Sequence, residues 1–183
     1  MRRARAVEQL SARFRRAYAA HRRAPTARTW FRLGEILAEA YTWSRDSAQQ
    51  VRDAAGDGLG VEFHPIYCWE RCVALAPRHA AAWHRLAQRY VELDDEGKAE
   101  LALRRAVRLD PRVAIAWLNL ATIELRPPLD RHRIRRAERS LHRAIAADRR
   151  GTKLGAEPYV MLADTAEQRG DDRAALAWLA TPR

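Results

Sequence analysis

Apolar residues recur along most of the chain at helical spacing. Trp83, Leu86, Ala87 and Tyr90 fall at steps of three, one and three, with His84, Arg85, Gln88 and Arg89 between them. That rhythm gives a helix one apolar face and one polar face. Ala99, Leu103 and Ala106 draw a second such face, which closes in Arg108-Leu109-Asp110-Pro111. The unit 80–113 therefore reads as helix, turn, helix. Trp117, Leu120 and Ala121 restart the first pattern 34 residues after Trp83, and Pro111 stands 34 residues after Pro77. A fixed period of this length is the mark of a repeat architecture.

Other copies are less regular. The unit 114–151 keeps Ala137, Leu141 and Ala144 in its second helix but carries four extra residues around Pro127-Pro128. A further copy starts at Tyr159, with Leu162, Ala163, Gly170-Asp171 and Ala175, and runs to Arg183 with its second helix incomplete. An earlier copy uses Trp30, Leu33, Gly34 and Leu37, then Trp69, Cys72, Leu75 and Pro77. Trp30 and Trp83 are 53 residues apart, so about 19 residues are inserted between Trp43 and Phe63. The expectation is that Ser44–Ala55 lengthens the first helix and that Gly56–Gly60 leads back, giving a hairpin that projects as a contact surface. Residues 6–20 carry Val7, Leu10, Phe14 and Tyr18 on one stripe and read as a helix capping the first repeat.

These positions resemble the tetratricopeptide repeat family, whose pattern is an aromatic, Leu three later, a small residue next, Tyr three after that, then Ala, a large apolar residue and a closing Pro. The turn Asp94-Asp95-Glu96-Gly97 departs from it, lacking the usual earlier glycine. The resemblance spans roughly residues 27–183. It implies an all-α, right-handed solenoid of three to four hairpins, which the helix read from residues 6–20 precedes as an N-terminal basic helix. The expected segments are 1–26, the capping helix; 27–79, a repeat with the insertion 44–62; 80–113; 114–151; and 152–183, a partial repeat. It also implies a concave wall of first helices, where the residues one, two and five places after each aromatic line a groove: Phe31, Arg32 and Glu35; His84, Arg85 and Gln88; Leu118, Asn119 and Thr122; Val160, Met161 and Asp164. Such a mixed surface suits a helix or an extended peptide.

Charge adds a second theme. The 183 residues carry a formal net charge of +11. The balance is uneven: residues 1–28 hold nine Arg against one Glu, and 126–153 hold nine Arg and one Lys against three acids. The remainder is mildly acidic. Only two of the 34 basic residues are lysines, which a GC-rich coding sequence produces without any binding role. The candidate anion contacts are Arg13, Arg15 and Arg16 in the first segment and Arg131, Arg135, Arg136, Arg139 and Arg143 in the second. Arginine forks suit carboxylates and phosphates. An acidic protein partner is the first reading. Nucleic acid and an anionic membrane surface are alternatives, the former binding by charge with little stacking.

Enzymatic chemistry finds no purchase in the sequence. No nucleophile, His and carboxylate set stands out, and Gly56-Asp57-Gly58-Leu59-Gly60 has no Gly-Lys-Ser/Thr after it, so no phosphate cradle is expected. His64, Cys68 and Cys72 sit four apart, but the outer two would lie about 12 Å apart on a helix, too far for one ion. Glu138 and His142 read as a surface pair. No cofactor and no metal are expected. The missing membrane-length apolar run, the absence of a signal-like segment and the two reduced-type cysteines lead to the expectation of a cytoplasmic protein. The apolar set Ala175, Leu176, Trp178 and Leu179 is an edge suited to self-association.

Overall fold

The computed structural model describes residues 2–60, 63–148 and 154–181. The ends of the predicted insertion 44–62 and of the basic segment 126–153, with the junction of the last two predicted repeats, lie outside them. Within the described residues there are ten helices and no strand: α1 (Arg2–Arg23), α2 (Ala27–Tyr41), α3 (Arg45–Asp53), α4 (Pro65–Leu75), α5 (Ala80–Glu92), α6 (Glu96–Leu109), α7 (Ala114–Glu124), α8 (Arg131–Ala147), α9 (Glu157–Gln168) and α10 (Asp172–Leu179). The chain divides into two compact units, Met1–Leu86 and Ala87–Arg183.

Local chemistry sets the helix starts. Thr26 and Thr29 exchange side-chain and backbone bonds in a capping box at α2. Ser44, Asp95, Asp130 and Asp171 each accept from the third backbone N–H of α3, α6, α8 and α10. Each cap contributes about 1 kcal/mol. His64 Nδ1 accepts from Tyr67 N at 3.3 Å, and Pro65 occupies the first turn of α4. His64 is thus a cap at the helix start, while Cys68 and Cys72 point into the core. The turn that lacks the earlier glycine solves its geometry with Asp94, which takes φ 58°, next to the Asp95 cap. Gly170, with φ 73°, does the same before Asp171.

In the first unit, α2 packs on α1, α3 and α4, and α1 also packs on α3. Val7, Leu10, Phe14 and Ala17 of α1 are buried, so its apolar stripe covers α2. The insertion does not extend α2. That helix stops at Tyr41, and Ser44 starts a separate helix, α3, whose Ala48 and Val51 are fully buried. A serine cap after Thr42 and Trp43 restarts the backbone in a new direction, and the apolar pair draws the new helix inward. The segment is packed rather than projecting. Arg52 is buried with it and donates to Tyr41 Oη at 3.1 Å and to Gln49. After the loop, Phe63 inserts among aromatic rings, 6.3 Å from Phe14, 6.1 Å from Tyr18, 5.8 Å from Trp30 and 5.7 Å from Tyr67. Gly34 lies against the buried Trp69. A Cβ built on it would sit 2.5–2.9 Å from the indole, which only a glycine avoids.

In the second unit, successive helices from α6 to α10 pack in chain order. Ala114, Leu118, Ala121, Ala137, Leu141, Ala144, Leu154 and Leu162 make one core cluster, and Ala163, Ala166 and Ala175 a smaller one. Small residues let the helices approach closely. One bond recurs with the repeat: Trp83 Nε1 donates to Pro77 O at 2.8 Å, and Trp117 Nε1 to Pro111 O at 3.0 Å. Each satisfies an indole N–H and is worth about 1 kcal/mol net.

Candidate protein-binding surface

The exposed stripe of each first helix can be followed residue by residue. In α2, Arg32 is exposed, and Phe31 is half-buried with its ring 4.6 Å from that of His79. Glu35 Oε2 accepts from Arg85 at 2.9 Å. Glu35 Oε1 and His84 Nε2 are both buried without a hydrogen-bond partner among the described residues. Burial, then the charge of Arg85, holds the His84 pKa below its ordinary value, so the imidazole is neutral at neutral pH.

In the second unit, Gln88 and Asn119 are half-buried, and Thr122 is exposed with its hydroxyl donating to Leu118 O at 3.1 Å. Leu118 is 2% exposed and belongs to the core, so it packs the hairpin and offers no surface to a ligand. The rotation of α7 turns Ile115 outward instead, 40% exposed, on one line with Asn119 and Thr122 at steps of four and three. In α9, Val160 and Asp164 are exposed, while Met161 packs against the core cluster. The position two before each aromatic (Arg28, Ala81, Ile115 and Glu157) is exposed or half-exposed throughout, and counting back four residues from Arg32, Arg85, Asn119 and Met161 would have found it.

The arginines separate into engaged and open ones. Arg13 pairs with Glu39 at 2.8 Å. Arg15, Arg16, Arg131, Arg135, Arg139 and Arg143 are exposed. Arg136 is not an open contact: it reaches Glu100 at 3.2 Å and Glu124 at 3.5 Å. Arg104 joins the same cluster, 2.5 Å from Glu100 and 3.7 Å from Glu124. Glu124 is buried and also accepts from Ser140 Oγ at 2.8 Å. Burial pushes its pKa up, against the Ser140 hydrogen bond and the two guanidinium charges. The sequence reading missed this cluster because its members come from α6, α7 and α8. Arg133 has another task, donating to the carbonyls of Ile123 and Glu124 at the end of α7.

Other candidates resolve into packing. Cys68 and Cys72 are buried thiols, and burial raises both, Cys72 to about 11, so neither is a thiolate at neutral pH. Glu138 pairs with Arg169, not with His142, whose ring lies 5.4 Å from Trp178. Of the C-terminal apolar set, Ala175 is buried and Trp178 half-buried, so only Leu176 and Leu179 form an exposed edge. Among the described residues, no three His, Cys, Asp or Glu side chains come together in a way that could hold a metal ion, and no helix is long and apolar enough to cross a membrane.

Comparison with known proteins agrees with this architecture. Residues 80–123 match the tetratricopeptide repeat family. The sequence matches no curated protein. A crystal structure of MamA protein has a TM-score of 0.67 at 17% identity, covering 97% of this chain and 82% of that one. The MamA 41-end structure from Desulfovibrio magneticus RS-1 has a TM-score of 0.63 at 14% identity, covering 96% and 90%. At these identities the likeness is one of fold, and MamA is itself a tetratricopeptide repeat protein. The chain carries a tetratricopeptide repeat within an all-α fold of the same kind.

Proposed function

We propose that the protein is a non-catalytic interaction scaffold that holds a peptide or helix of a protein partner on the exposed stripes of its first helices. Both the repeat and the MamA-like fold support a protein-binding scaffold. The observation that carries the finer reading is the pair Ile115 and Val160. They are β-branched residues, 40% and 38% exposed, on helices whose other large aliphatic side chains are buried or half-buried. Asn119, Thr122 and Asp164 flank them with hydrogen-bonding groups. An amphipathic partner would cover the two apolar side chains and meet the polar ones at the rim. The open arginines Arg15 and Arg16 would speed the approach of an acidic partner, with an effect that fades as salt rises.

The test is co-purification from the native host with nuclease present and at high salt, comparing the wild type with Ile115→Glu/Val160→Glu. A protein captured by the wild type and lost by the variant, at unchanged helical content, supports the stripe. Capture that survives both substitutions, or that disappears with nuclease or salt in the wild type, overturns it.

A further inference from the structure

The exposed arginines of α8 do not all border the same space. Arg139 and Arg143 line a cleft of about 420 Å³ together with Arg108 of α6, whereas Arg131 and Arg135 line a different one. Among the described residues, Arg108, Arg139 and Arg143 have no ion-pair partner, in contrast to Arg104 and Arg136 of the same lining, whose charges are met by Glu100 and Glu124. The three open guanidiniums therefore stand beside a neutralised cluster. The rest of the lining is Ser140, bonded to Glu124, and three apolar residues: Val107 and Leu120 are buried and Trp117 is half-buried. The Trp117 indole is held in place because its N–H is spent on Pro111 O.

We infer that this cleft is a binding site for an acidic segment of a partner protein, a peptide that alternates carboxylates with a bulky apolar side chain. The inference rests on the scaffold reading and adds a second surface to it, apart from the first-helix stripes. Three exposed guanidiniums give forked donors for carboxylates. The half-buried Trp117 indole, with the buried Val107 and Leu120 behind it, gives the apolar side chain a place that a phosphate chain cannot use. Nucleic acid fits less well, because a single indole with a bonded N–H is no platform for successive bases.

The probe is a fluorescein-labelled peptide of repeating Glu-Glu-Leu, followed by anisotropy with the full chain. Three comparisons decide the matter. Arg139→Glu/Arg143→Glu should weaken binding by about tenfold or more, while Arg131→Glu/Arg135→Glu, with the same change in net charge, should cost less than about threefold. A Glu-Glu-Ser peptide should bind about tenfold more weakly than the Leu peptide, because it leaves the Trp117 indole uncovered. Ile115→Ser/Val160→Ser, which removes the apolar pair of the stripes without adding charge, should change the affinity by less than about threefold, which separates this cleft from the helix stripes. All the named variants lie at exposed positions, and circular dichroism checks that they remain helical. Equal losses from both arginine pairs, equal binding of the Ser peptide, or displacement of the peptide by oligothymidylate at lower concentration than by unlabelled peptide would each overturn the proposal.

Discussion

In the first unit Gly34 meets Trp69, while in the second Ala121 shares a core with Leu141. The positions correspond: Gly34 and Ala121 each stand four residues after the tryptophan of a first helix, and Trp69 lies 34 residues before Leu103, the counterpart of Leu141. When one partner gains an indole, the other gives up its methyl group. The difference extends outward. The first unit is filled by aromatic rings, with Phe63 returning from the insertion to join Phe14, Tyr18, Trp30 and Tyr67. The second is filled by alanine and leucine and contains the Glu124 cluster beside its core. Two regions built on one pattern thus reach close packing through different volumes, which shows that the sum across the helix pair matters more than the identity on either side.

The sharpest way to break this comparison is to mix the two solutions. Gly34→Ala should destabilise the protein by about 1–3 kcal/mol, since a methyl group must displace a buried ring. Gly34→Ala/Trp69→Leu should recover much of that loss by recreating the pair of the second unit, measurable as a double-mutant cycle in chemical denaturation. Strict additivity of the two changes would sink the idea of a matched pair.

A smaller effect belongs to the second unit. Burial raises the folded-state pKa of Glu124 above its unfolded value. Its contribution to stability is therefore full below the unfolded pKa and is lost as pH rises through the folded one. Glu124→Gln keeps an acceptor for Ser140 but cannot ionise. The stability of the wild type relative to this variant should fall as pH is raised from the acidic range towards neutrality, and a flat or rising difference would contradict it. No such trend is expected from substitutions in the aromatic unit.

The smallest change should be Asp94→Gly. It relieves the left-handed backbone at φ 58° while giving up an exposed pair with Arg126 at 3.3 Å. A net gain of about 0.5 kcal/mol in thermal or denaturant unfolding is expected, because the exposed pair is worth little.

The repeat was legible because its period is carried by residues that are buried, Leu86, Ala87, Leu103 and their equivalents, and by the half-buried Trp83 and Trp117. The expected lengthening of the first helix across Ser44–Ala55 does not form, because a polar run such as Arg45–Asp53 gives no strong helical stripe beyond Ala48 and Val51. The Ser44 cap was the available signal. The candidate surface was read only in part. Leu118 and Ile115 differ by three positions, and which of them faces outward depends on how α7 is rotated against α6 and α8, a tertiary matter. The Glu124 cluster was invisible for the same reason, as its charges are brought together from three helices.

The bonds from Trp83 and Trp117 to the proline carbonyl six residues upstream have a consequence for modularity. Family comparison frames the unit as beginning near residue 80, but Trp83 finds its acceptor at Pro77 and Trp117 finds its acceptor at Pro111. A cassette cut at 80–113 would carry away the acceptor that belongs to the following donor and leave its own behind. A cassette running from Pro77 to Asp110 keeps donor and acceptor together. The natural joint for exchanging, duplicating or deleting repeats in this chain therefore lies just before the proline, at the end of the preceding second helix.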